Sequence, residues 1–511
     1  MALPRESMVA DIKEKTQQFL SSKEHSNGFV DILEYMQSAE VGVVIAAIKA
    51  SHKICMNLLS TDKLYHCKDG SSLENVTATQ KYESWLFERY QDCIENLINS
   101  MTHSSSNVQE LALCTLMKFV ECESQHPPKP HNPEWYFPST LFTKIVHVLL
   151  STDVDMRKLL GRFQEYVEYD DIRYYMLKRI TGKTTRFKKN TQNVDTDVLI
   201  QNIFCILEQI SRVISTDKEK ELDNFLTKLP DAVDKCKVTV QKEHQIVFDT
   251  AWFTLLQCQL PNSIYKRILI LLPEHIIPHM RNPVLLIDFL TASYNMGGAI
   301  SLLALNGLFI LVHHHNLEYP DFFKKLYALL DPAILHVKYR ARFFFLTDLF
   351  LKSTHLPAYL VAAFVKRLSR LSLTAPPNAI LLVIPLICNL IHRHPNLITL
   401  IHKPDAQTDI SGDPYDMEEP DPAKCHAMES SLWEIKTLKS HYYHEVATSA
   451  TKIEKRFQKE EWDIAEYLEL EMSELIDKEV KKKMRKMPME FEQPTGLFGG
   501  NSDKMKDLWT L

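Results

Sequence analysis

Glycine is the residue this chain most conspicuously lacks: 12 of 511, about 2% against a usual ~7%. Glycine supplies the positive φ of tight β-hairpins and lets backbone approach a phosphate closely. A chain this poor in it cannot readily build a β-sandwich, a propeller or a glycine-loop nucleotide-binding α/β enzyme. The deficit predicts an all-α fold.

Hydrophobic periodicity points the same way. From Asn107, Val108, Leu111, Ala112, Leu116, Phe119 and Val120 recur at helical spacing. Asn107 is expected as the N-cap, with Glu110 completing a capping box. From Ile246 to Ile401 short apolar stripes alternate with prolines, among them Pro273, Pro320, Pro357 and Pro376. In 360–371, Leu360, Val361, Phe364, Val365, Leu368 and Leu371 fall in one arc, and Lys366, Arg367, Ser369 and Arg370 in the other. Repeated one-faced helices with short turns suit an irregular HEAT/armadillo-like α-solenoid, in which each hairpin buries its face on the next. The expected organisation is an N-terminal repeat region (1–215), a linker (216–245), a solenoid domain (246–403), an acidic Pro-rich linker (404–427), and C-terminal helices with an extended tail (428–511).

The net charge of −6 excludes a uniformly basic nucleic-acid binder, so any such contact must come from a local patch. Ten scattered cysteines without a CxxC pair predict reduced thiols, as in cytosol or nucleus. Residues 1–20 carry Arg5, Glu6, Asp11, Lys13, Glu14 and Lys15 and no apolar core of signal length, so no secretion signal is expected. Three apolar runs, 299–312, 343–365 and 379–391, are too short or too interrupted by charge and proline for a bilayer span of ~20 residues. They are expected as buried helices.

Motifs that would carry chemistry are incomplete. Thr181-Gly182-Lys183-Thr184-Thr185 resembles the end of a phosphate-binding loop, but Leu177 stands where its first glycine belongs. His313, His314 and His315 project about 100° apart on a helix and cannot converge on one ion. No Ser or Cys stands on a glycine-flanked turn of nucleophile-elbow type. No catalytic, metal or cofactor residue is therefore assigned.

Two basic runs remain. Lys178, Arg179, Lys183, Arg186, Lys188 and Lys189 occur within twelve residues without an acid among them, a pattern read either as a solvated loop or as a contact for RNA phosphate or an import receptor. Lys478, Lys481, Lys482, Lys483, Arg485 and Lys486 gather at an expected helix C-terminus, where the macrodipole already favours cations.

Longer motifs carry a family likeness. They include Leu303-Ala304-Leu305-Asn306-Gly307-Leu308-Phe309, Asn316-Leu317-Glu318-Tyr319-Pro320-Asp321, His355-Leu356-Pro357-Ala358-Tyr359 and Asn389-Leu390-Ile391-His392-Arg393-His394-Pro395. Together with Asp413-Pro414-Tyr415-Asp416 and Glu429-Ser430-Ser431-Leu432-Trp433-Glu434, this series resembles the nucleolar complex/CCAAT-binding-factor family. The resemblance implies a non-catalytic nucleolar factor of the small-subunit processome, supporting pre-ribosomal RNA processing to 18S rRNA and 40S assembly. It implies partnership with nucleolar protein 14 and no cofactor. Lys366, Arg367 and Arg370, with Phe343 and Phe344, are the expected partner groove, unless the two phenylalanines belong to the core. Two competing readings are a nuclear-membrane-associated protein, resting on the apolar runs, and an RNA-modifying enzyme, for which no convergent titratable pocket is visible.

Overall fold

The computed structural model describes residues 5–61, 64, 78–127, 136–190, 197–214, 222, 224–227, 236–402, 412–454 and 461–482. Among them every regular element is helical, and no strand occurs. The chain divides into two compact units, 1–317 and 318–511. The first unit ends after a histidine-terminated helix whose C-cap, Asn316, is in the left-handed conformation.

The first unit opens with Arg5–Ser21 (α1), Gly28–Tyr35 (α2), Val41–Ser60 (α3) and Ala78–Ser100 (α4). Ser106–Gln125 (α5), Ser139–Leu149 (α6), Arg157–Val167 (α7), Asp170–Asn190 (α8) and Asp197–Val213 (α9) follow. Gln241–Leu256 (α10), Asn262–Leu271 (α11), Ile287–Tyr294 (α12) and Gly298–His315 (α13) complete it. Each helix up to α8 packs on the helix two further along: α1 on α3, α3 on α5 and α5 on α7 in one layer, α2 on α4, α4 on α6 and α6 on α8 in the other. This is solenoid packing, and it explains the one-faced stripes, since each hairpin offers its apolar side to the next. α12 and α13 meet closely at Gly307, where an added Cβ would stand 2.9 Å from Leu290 Cδ2.

Three local expectations need correction here. Asn107 lies inside α5 rather than capping it, and Glu110 instead accepts from the Ser106 hydroxyl at 3.1 Å. The segment containing Lys178–Lys189 is the latter half of α8, not a loop. Part of the expected 216–245 linker is docked. Thr227 donates to Asp171 Oδ2 through its backbone N at 3.0 Å and its hydroxyl at 2.6 Å, and the backbone N of Leu226 reaches Asp171 Oδ1 at 3.2 Å. A fully buried carboxylate at the start of α8 needs such donors, and this segment brings them.

The second unit contains Phe322–Ala328 (α14), Arg340–Phe350 (α15), Ala358–Ser372 (α16), Pro377–Arg393 (α17), Trp433–Leu438 (α18), His444–Ala450 (α19), Ala465–Leu468 (α20) and Met472–Lys481 (α21). α17 is its core element, buried from Pro377 to Ile391 and packed by α16, α19, α20 and α21. A helix apolar all round requires neighbours on every side, and the chain after 412 supplies them. The C-terminal helices expected in 428–511 are short ones among the described residues, α18 to α21. Residues 469–471 separate α20 from α21, because Leu470 O accepts from Asn378 and Arg340 instead of continuing a helix. The expected tail from 488 lies outside the described residues.

Candidate functional site

The basic run on α8 is built by helical spacing. Arg179, Lys183 and Arg186 recur at i, i+4 and i+7 and share one face. Lys183 is not a free cation: its ammonium donates to the carbonyls of Leu150 and His147, closing the C-terminal end of α6. Burial pushes the Lys183 pKa down, and its charge in turn lowers that of His147. The phosphate-loop likeness therefore ends in a helix-capping lysine. Lys178 lies over the Tyr174 ring at 5.8 Å, and Lys188 donates to Gln257 at 3.0 Å. Arg179 is partly buried, its Nε without a hydrogen-bond partner, while Arg186 is exposed. Lys189 is the last cation of the run and lies in the final turn of α8.

The expected partner groove on α16 is closed by the chain itself. Lys366 is fully buried, with Nζ 2.7 Å from Glu434 Oε1 and 3.0 Å from Asp413 Oδ2. Its third donor position meets Ser431 O at 2.6 Å. Arg370 pairs with Asp413 at 3.1 Å, and Arg367 donates to the carbonyls of Leu330 and Met417. Asp413 also accepts from the Trp433 indole at 2.8 Å and from the Ser430 hydroxyl. Burial alone would raise the Asp413 pKa, yet these donors hold it at about 2. Residues 412–427 of the acidic Pro-rich segment are thus a strap over the cationic face of α16 rather than a spacer. Tyr415 anchors it, its hydroxyl 2.8 Å from that of Tyr327. Phe343 and Phe344 are core residues with no exposed surface.

A second internal clasp follows on α17. Asn389 bonds both backbone groups of Trp462 at 2.8 Å, mimicking a peptide pairing. Arg393 bridges Asp348 at 2.8 Å and Glu461 at 2.6 Å. Glu434, Asn389 and Asp171 are functional in packing without a local signal, because the distant segments they hold lie 55 or more residues away along the chain.

On α21, Lys478, Lys481 and Lys482 are exposed at the C-terminal end as expected; Lys483, Arg485 and Lys486 lie outside the described residues. His313–His315 close α13, and among the described residues no His/Cys/Asp/Glu group has a metal-holding arrangement. Val41–Ser60 and Gly298–His315 are long and apolar enough to cross a membrane by length and composition, and each is about half buried within its unit.

Successive helices that pack on the helix two further along define an all-α helical-repeat protein. Residues 4–192 match the family described as nucleolar complex protein 4-like, TPR repeats, and residues 301–450 match the CBF/Mak21 family. The chain is 47% identical to nucleolar complex protein 4 homolog B of Xenopus laevis over 98% of its length and 96% of the relative's. It is 44% identical to the Danio rerio homolog, over 98% of this chain and 96% of the relative, and 42% to that of Homo sapiens, over 96% of each. The chain belongs to the nucleolar complex protein 4 family.

Proposed function

We propose that this chain is a non-catalytic scaffold of nucleolar ribosome biogenesis. It acts within the small-subunit processome, supporting pre-rRNA processing to 18S rRNA and 40S assembly in complex with nucleolar protein 14. The observation that carries the reading is the family likeness, which spans both units rather than one module. The buried charges support it: in the second unit they are engaged in clasping the strap and the 461–470 segment. Pre-ribosomal RNA is the proposed nucleic-acid partner, and nucleus and nucleolus the proposed location.

The test is affinity purification of the tagged full chain from nucleolar extract, with co-purifying protein and RNA identified. Nucleolar protein 14 and 18S precursors are expected; their absence would overturn the reading. The C-terminal half, 246–511, is proposed to suffice for binding the protein partner. Capture of the partner by 1–215 alone would sink that placement. Resistance to carbonate extraction would favour the membrane reading, for which the apolar helices α3 and α13 are the motive.

A further inference from the structure

Two hollows of about 350 and 690 Å³ adjoin on the first unit. Both are lined by Thr143, His147 and Arg179, so they form one trough across α4, α6 and α8. Its cations come from two helices: Lys144 on α6, and Lys178, Arg179, Lys183 and Arg186 on α8. Glu95 on α4 is the one acid among the lining residues, and it lies 3.7 Å from Lys144. Among the described residues no other acid lines the trough, although Asp153 lies near enough to act on Lys183, which in turn depresses the His147 pKa.

The arrangement favours an extended anion over a small one. Arg179 and Arg186 are seven residues apart on one face, so a rise of 1.5 Å per residue separates them by about 10 Å along α8. Two guanidinium groups at that spacing follow a chain of charges rather than chelate one ion. Ser139 and Thr140, in the first turn of α6, open onto the same trough, adding donors and the positive end of that helix. Between the two arginines, Gly182 leaves the floor open: an added Cβ would meet nothing within 4 Å.

We propose that this trough binds the sugar–phosphate backbone of single-stranded RNA, with Arg179 and Arg186 contacting phosphates and Lys183 held back as a structural post. The inference rests on the RNA-associated reading above and deepens it by assigning the contact to a trough between helices. An acidic protein segment is the competing occupant. The cation-and-hydroxyl lining calls for an anion, and the RNA-associated reading selects phosphate over carboxylate.

The test uses the full chain and a fluorescein-labelled oligouridylate of about 20 nucleotides, with anisotropy read between about 50 and 200 mM salt. Arg179→Gln with Arg186→Gln is expected to weaken binding about tenfold and to flatten the log–log salt slope by about 1.4, at ~0.7 per lost phosphate contact. Gly182→Leu fills the floor without changing charge, and is expected to weaken binding with the slope nearly kept. Circular dichroism of each variant separates loss of binding from loss of fold. Parental affinity and slope in both variants would overturn the proposal, as would capture of a polyglutamate peptide by the trough with no binding of oligouridylate. Sedimentation of the parent chain with pre-ribosomal particles is measured alongside. If the parent sediments with them while both variants bind RNA normally, the trough alone is wrong. If the parent fails to sediment with them, the functional reading falls as well.

Discussion

Lys366 and Glu434, neither with any exposed side-chain surface, meet at 2.7 Å between α16 and α18. A fully stranded charge in a low-dielectric interior costs about 3–5 kcal/mol, but Lys366 keeps Asp413 at 3.0 Å when Glu434 is removed. Glu434→Ala is therefore expected to lower stability by less than that range in urea titrations. Lys366→Met combined with Glu434→Leu should lose less than the sum of the single changes, because neither residue is left uncompensated. Additive losses would show that the pair is not coupled.

Asp413 gives the second unit an acid limit. Its folded pKa of about 2 lies below the usual 3.8, so its contribution is full above about pH 4 and is lost as pH falls toward 2. The difference corresponds to about 2 kcal/mol. Asp413→Asn should remove that acid-dependent limb from the stability profile while lowering stability at neutral pH.

Glu123 behaves in the opposite sense. Burial against Tyr90 raises its pKa to about 7, although the Tyr90 hydroxyl donates to it at 2.7 Å. The folded state therefore holds a proton that the unfolded chain releases near pH 4.5, and a penalty builds as pH rises from there to about 7. Glu123→Gln keeps the acceptor oxygen without the charge. It is expected to stabilise the protein at pH 8, by up to about 3 kcal/mol, and to change little at pH 5. Equal effects at both pH values would contradict the buried titration.

Lys183→Ala tests the lysine as a helix cap. Loss of its bonds to Leu150 and His147 is expected to cost about 1–3 kcal/mol in thermal or urea unfolding. ATP hydrolysis is expected to be absent before and after the change. Phosphate release abolished specifically by this substitution would restore the nucleotide reading.

Core truncation at Phe364 has no chemistry to remove. Its ring is fully buried and meets Tyr327 edge-on at 5.5 Å. Phe364→Ala is expected to lower stability by about 3–5 kcal/mol, and partner capture should fall only in proportion to the folded fraction.

Helicity was legible in the sequence because it is local. Few glycines leave few positive-φ turns, and 3.6-residue stripes such as 360–371 report which face is apolar. The same stripe does not report what meets the other face: the expected partner groove of Lys366, Arg367 and Arg370 is filled by the strap around Asp413 and Trp433. Likewise 178–189 showed its six cations in the sequence, but not that Lys183 is tied to the end of α6 while Arg179 and Arg186 remain along a trough.

By itself, then, the sequence determined an all-α chain of striped helices and two basic runs, all properties carried by neighbouring residues. Only the tertiary structure decided which charges are spent inside and which remain outside. The reason is that a polar arc is stable equally in water or against an opposite charge, and the opposite charges of Glu434, Asp413 and Glu461 arrive from segments distant along the chain.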